Sequence, residues 1–193
     1  MKLPYFHVDA FVADGLRGNP AGVCPLERWL DEPAMQGIAA ENNLSETAFF
    51  VGGDGEYDLR WFTPTVEVDL CGHATVASAA VVCERLEPGR ERVRFRSASG
   101  PLAVERRGEI YVLDFPARPP EPVAASEAAA VVAALGARPE IVLAARDVLA
   151  VFASEDDVRG LAPDLARVAA LERFAVIVTA PGREADFVSR FFA

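Results

Sequence analysis

The chain has 193 residues, of which 51% are hydrophobic, and its 29 acidic side chains outnumber 19 basic ones for a formal net charge of −10. This length can bury the core of one large domain or two small ones. A surface so acidic repels phosphate backbones and anionic lipid headgroups, so neither nucleic acid nor a membrane is an expected partner.

In chain order, Tyr5 to Val12 alternates Phe6, Val8 and Ala10 with more polar neighbours and predicts a strand. Gly15 to Gly22 holds three glycines and Pro20 and predicts a loop. Asp31 is placed to cap a helix that starts near Glu32-Pro33 and stops at Asn42-Asn43. Thr47 to Val51 and Asp58 to Thr63 read as strands. Gly72 to Leu86 is a helix whose small and apolar residues occupy every side of the wheel through Cys83. Such a helix must be covered all round, and it is too short to span a bilayer. Arg92 to Arg96 alternates as a half-exposed strand, and two more follow at Leu102 to Glu105 and Ile110 to Phe115 around a turn at Arg106 to Glu109.

Pro116, Pro119, Pro120 and Pro122 mark a linker. The expected domains are therefore 1–115, a proline-rich linker 116–122, and 123–193. The second part mixes helices at Ser126 to Leu135, after Ser154, and at Pro163 to Leu171 with strands at Ile141 to Ala145, Leu149 to Ala153, Arg173 to Thr179 and Asp186 to Phe192. No internal repeat is visible. The apolar run from Phe187 to Ala193 reads as a chain interrupted within a domain.

Four patterns carry candidate chemistry. Gly18-Asn19-Pro20-Ala21-Gly22 is either a plain turn or a loop that brings the Asn19 amide to a ligand. Glu46 stands where a helix ends and an apolar strand begins. It is a solvated carboxylate there or, facing a pocket, a base able to take a proton from carbon. Asp69-Leu70-Cys71-Gly72-His73-Ala74-Thr75 opens the all-round apolar helix, and the free N–H groups at Gly72, His73 and Ala74 suit a carboxylate or phosphate. His73 is a first-turn histidine satisfied by a neighbour, or a substrate contact and proton relay. Cys71 is a small buried residue or an activated thiol. Phe62-Thr63-Pro64-Thr65-Val66-Glu67-Val68 reads as strand, turn and extended piece, with Glu67 solvated.

No phosphate-binding loop, dinucleotide fingerprint or metal-ligand cluster is present, and no cofactor or metal is expected. Lys2 is the sole lysine, which leaves no other residue for Schiff-base chemistry or covalent pyridoxal phosphate. Cys24, Cys71 and Cys83, odd in number and irregularly spaced, make neither a disulfide framework nor a zinc site. Met1-Lys2-Leu3-Pro4 does not resemble a secretory leader. A cytoplasmic location is expected.

Taken in order, Tyr5-Phe6-His7-Val8-Asp9-Ala10-Phe11, Gly18-Asn19-Pro20-Ala21-Gly22-Val23, Ser45-Glu46-Thr47-Ala48-Phe49, Phe62 to Val68, and Cys71-Gly72-His73-Ala74-Thr75 resemble the signature series of PhzF-like proteins. The resemblance implies an α+β fold of the diaminopimelate-epimerase type: two similar halves, each a curled, mostly antiparallel sheet around a central helix, the second half incomplete. It implies a cofactor-independent isomerase acting on a small carboxylated substrate. The family's characterised member isomerises a dihydro-hydroxyanthranilate in phenazine biosynthesis. Glu46 matches its general acid/base, His73 lies in the same site, and Asn19 matches an asparagine that contacts substrate in the related epimerases. A homodimer is expected on the same ground. Family members continue into a glycine-rich segment that supplies an aspartate and a second helix N-terminus. This sequence lacks it, so the 193-residue chain alone is expected to be inactive and poorly stable. Two alternatives stay open: a two-thiol amino-acid epimerase using Cys71, and a non-catalytic protein binding a metabolite or a protein.

Overall fold

A computed structural model describes residues 2–12 and 18–192. The chain divides into two compact units, Met1–Pro116 and Ala117–Ala193.

The first unit opens with strand β1 (Phe6–Ala10) antiparallel to β2 (Asn19–Leu26). Helix α1 (Glu32–Asn42) follows. The Asp31 carboxylate accepts from the Ala34 N–H, Pro33 falls in the first turn where no N–H is needed, and Asn43 closes the helix in the left-handed region. Strand β3 (Glu46–Gly53) then runs parallel to β2. It pairs antiparallel with β4 (Glu56–Phe62) through Asp54 and Gly55, whose positive φ angles of 53° and 77° suit a tight hairpin. A two-residue strand, β5 (Glu67–Val68), adds to β4. Helix α2 (Gly72–Val81) continues into a single π-helical turn at Val82–Leu86. Strands β6 (Arg92–Ser97), β7 (Gly100–Arg107) and β8 (Ile110–Asp114) complete a sheet of order β1-β2-β3-β4-β6-β7-β8.

Helix α2 packs against β1, β2 and β3 and also against β7 and β8. One short helix touches strands from both ends of that order only if the sheet curls around it. His73 through Ala79 and Val81 are all buried, as the apolar wheel requires. The two hydroxyls among them are satisfied within the helix. Thr75 donates to the Cys71 carbonyl at 2.5 Å and Ser78 to the Ala74 carbonyl at 2.7 Å. Phe50, Trp61 and Phe95 fill the rest of this core.

The second unit is a five-stranded sheet of β9 (Glu121–Pro122), β10 (Ile141–Ala144), β11 (Val148–Val151), β12 (Val176–Pro181) and β13 (Phe187–Phe192). Helices α3 (Ala125–Leu135), α4 (Glu155–Gly160) and α5 (Leu165–Ala169) join Val148, Ala150, Val176 and Val178 in one core. Ser154 caps α4 in a reciprocal capping box with Asp157. Strand β9 lies inside the proline-rich stretch, as an edge strand where a missing N–H is tolerated.

The units repeat a plan that the sequence conceals. β1 and β2 pair antiparallel, a crossover holding α1 leads to parallel β3, and β4 returns antiparallel. β10 and β11, a crossover holding α4 and α5, β12 and β13 pair in the same manner.

One expectation changes. The first part of the predicted Gly15–Gly22 loop lies outside the described residues, but Asn19 to Gly22 is strand, not loop. Pro20 is accommodated because β2 pairs there with β1 alone. Its pairing with β3 begins at Ala21. The glycines serve packing. A Cβ on Gly18 would sit 2.7 Å from the Ala10 carbonyl, and one on Gly22 would sit 2.9 Å from Thr47 Oγ1. Glu67 is exposed as expected, and Arg60 grips it there with two donors at 2.6 Å.

Candidate active site

Glu46 is the first residue of β3, placed by the turn through Asn43 that ends α1. The Asn42 side-chain amide donates to Thr47 Oγ1 at 3.1 Å and ties that helix end to the strand. Ala21 of β2 lies opposite Glu46 in parallel register. Cys71 is the N-cap of α2, in extended conformation, and makes no capping hydrogen bond through its side chain. His73 stands in the first turn, 9% exposed.

These three side chains meet. The Cys71 thiol lies 3.4 Å from His73 Nδ1, and His73 Nε2 lies 3.2 Å from Glu46 Oε2. The latter pair is within ion-pair distance but lacks hydrogen-bond alignment. Both buried atoms are left without a hydrogen-bond partner among the described residues. Burial lowers the pKa of His73, against the raising effects of the Glu46 charge and the Pro20 carbonyl. The ring is therefore neutral near pH 7. Burial, with Glu46 adding to it, pushes the Cys71 thiol up to about 12, although the His73 and Ala74 backbone N–H groups pull the other way. A thiol sulfur is a weak acceptor, so the helix end stays open to a stronger one such as a carboxylate.

Thus Glu46, Cys71, Gly72, His73 and Ala74 come together. Asn19 opens β2, two residues before Ala21 and on the same face of the strand. The contact between Cys71 and His73 and the approach of the Pro20 carbonyl escape sequence reasoning, although the i, i+2 spacing at a helix start was there to be read. His7 is exposed in β1 opposite Gly22 and takes no part. Cys24 and Cys83 are free and buried.

Glu46, Cys71 and His73 offer donor atoms within 4.8 Å of one another, a set that a thiophilic divalent cation could use. The ring, however, meets its two neighbours through different nitrogens, which suits hydrogen bonding better than a shared ion. A groove of about 920 Å³ lies elsewhere and includes Pro25, Leu26, Phe50 and Gly52, at the far ends of β2 and β3 from Glu46. It holds no comparable cluster, so the chemistry and not the volume locates the site. No helix among the described residues is long and apolar enough to cross a membrane.

An uncharacterised isomerase of Pseudomonas aeruginosa is 50% identical over 192 residues, covering all of this chain and 73% of that protein. The crystal structure of a phenazine biosynthesis protein of the PhzF family from Enterococcus faecalis superposes with a TM-score of 0.89 at 47% identity, over the whole of this chain and 74% of the other. A "Predicted Epimerase" from Pseudomonas aeruginosa, 21% identical with a TM-score of 0.68 over 92% of this chain and 70% of its own, shares the fold. These agree with an α+β, diaminopimelate-epimerase-like architecture. Residues 8–193 match the model of the phenazine biosynthesis-like proteins, and the chain belongs to this PhzC-PhzF family.

Proposed function

We propose that this protein is an isomerase that moves a proton between carbons of a small carboxylated substrate. The observation that carries the reading is Glu46 beside a neutral, buried His73 at an uncapped helix N-terminus. The amides of Gly72, His73 and Ala74 bind the substrate carboxylate, and the Asn19 amide holds a second polar group. The Glu46 carboxylate takes a proton from an activated carbon. The C–H bond breaks and its electron pair spreads into the substrate's adjoining unsaturated system. The protonated carboxyl returns a proton at another carbon, and the pair closes a new C–H bond there. These steps use side chains and amides alone. A soluble homodimer in the cytoplasm completes the proposal.

The test is exchange in deuterated water with a dihydro-hydroxyanthranilate and other unsaturated carboxylic acids. Glu46→Gln should lower deuterium uptake by about 10²–10⁴-fold. Undiminished uptake in that variant rules out Glu46 as the base. Tight binding of a probe without exchange, in wild-type protein that carries the family's glycine-rich segment, favours a binding protein instead.

A second reading makes Cys71 one of two catalytic thiols. Its contact with His73 favours this, but a thiol pushed up to about 12 is a poor nucleophile or base at neutral pH. Exchange lost in Cys71→Ser and kept in Glu46→Gln would establish it.

A further inference from the structure

We infer that Cys71 is a positioning residue: its thiol fixes His73 in the tautomer that carries the proton on Nε2, aiming an N–H at the Glu46 carboxylate. The inference rests on the proposed role of Glu46 only for its functional meaning. The tautomer is a property of the resting protein.

The geometry has two ends, and both favour one state. A neutral imidazole has one N–H and one bare nitrogen, and its neighbours decide which is which. On the Nδ1 side stands the Cys71 sulfur at 3.4 Å. That thiol is 7% exposed at the residue level and burial holds it protonated, so it has a hydrogen to give. Two acceptors lie on the thiol's side of the site, His73 Nδ1 and the Glu46 carboxylate, and the contact with Nδ1 is the one that meets hydrogen-bond geometry. On the Nε2 side stands Glu46 Oε2 at 3.2 Å. With the proton on Nδ1, N–H would face S–H while a bare Nε2 faced a carboxylate oxygen, lone pair against lone pair. With the proton on Nε2, both contacts join a donor to an acceptor.

The consequence concerns proton traffic. A fixed Nε2–H donor faces the Glu46 carboxylate between turnovers. It turns to a substrate oxygen when Glu46 accepts the proton from carbon. The missing hydrogen-bond alignment between Nε2 and Oε2 leaves each free to engage a third atom. Neither step oxidises the thiol or breaks its S–H bond.

Two-bond ¹H–¹⁵N correlation spectra of the labelled 193-residue chain at neutral pH distinguish the imidazole tautomers. The chain has two histidines, so His7→Gln assigns the His73 signals. The wild type is expected to show His73 as the single Nε2–H form. Cys71→Ala should lose that single state, with the Nδ1–H form appearing. Cys71→Ser, which keeps an O–H donor, should restore it. An Nδ1–H ring in the wild type overturns the inference, as would occur if the thiol donated to Glu46 instead. So does a Cys71→Ala spectrum unchanged from wild type. Should Cys71→Ala fail to fold, the wild-type and Cys71→Ser spectra still decide. Because no substrate enters this experiment, its failure is distinct from a failure of the Glu46 exchange test.

Discussion

Two strand quartets in this chain follow one plan and differ in what they hold. In the first, the parallel ladder between β2 and β3 opens with Ala21 opposite Glu46. In the second, the ladder between β11 and β12 opens with Val148 opposite Val176. Glu46 is half-buried beside His73, whereas Val176 is 1% exposed in a core of helices and strands. The shared plan sets where a strand begins and what it pairs with. Chemistry arises in the first unit because the N-terminus of α2 arrives at the same point. The helices carry the contrast further. Both α2 and α3 are rich in alanine and valine, yet α2 is buried on every side while α3 buries Val131, Ala134 and Leu135. Composition alone does not separate them. The curled sheet does, since strands from both of its ends reach α2.

A methyl-to-isobutyl exchange on each helix tests that contrast. Ala77 on α2 is 1% exposed, and Ala77→Leu should destabilise the first unit by about 1–3 kcal/mol through overpacking. Ala133 on α3 is exposed, and Ala133→Leu should change stability by less than about 0.5 kcal/mol. Urea denaturation followed by tryptophan fluorescence measures the first directly, because Trp61 lies in the same core as Ala77. Circular dichroism follows the second. Equal costs would mean that α2 is no more enclosed than α3.

Much of the first unit was legible because its signals are local. Asp31, Pro33 and Asn43 bracket α1 by capping chemistry, and the uncharged wheel from His73 to Cys83 announces all-round burial. The alternation at Arg92 to Arg96 gives β6 its exposed arginines and buried Val93 and Phe95. The start of β2 was not legible. Gly18 and Gly22 look like turn residues, and only the neighbours that crowd them, Ala10 and Thr47, reveal that they make room between strands. The repeat was hidden because it lies in pairing order and register, which unlike side chains can satisfy. At the site, sequence spacing placed His73 at a helix start and Glu46 at a strand start. Their meeting at 3.2 Å depends on the curl of the sheet, and a resemblance linked them where spacing could not.

The crossovers invite a smaller comparison. Asp31 caps α1 by accepting from Ala34 N–H, while Ser154 caps α4 through a two-way box with Asp157. Asp31→Ala and Ser154→Ala should each cost about 1 kcal/mol if the caps are equivalent devices. Thermal denaturation of both variants measures this. A much larger loss for Asp31→Ala would show that α1, which positions Asn42 and thereby Thr47, matters more to its sheet than α4 does to its own.

A last effect is one of pH, and it should appear in one unit alone. Both histidines lie in the first unit and none lies in the second. His73 is held neutral by burial, its pKa lowered from 6.5. The unfolded chain therefore takes up a proton near pH 6.5 that the folded chain refuses. Wherever the unfolded state binds more protons, stability rises with pH. The contribution of His73 is thus fully present above pH 6.5 and is lost as pH falls through the lowered folded value. The slope cannot exceed about 1.4 kcal/mol per pH unit for one proton. Denaturation between about pH 7.5 and 5.5 should show the first unit weakening toward acid, and His73→Gln should flatten that slope whatever it does to the absolute stability. A slope that survives in His73→Gln would assign the effect to another group. A slope of opposite sign would mean that the Glu46 charge outweighs burial, and that His73 enters the site as a cation.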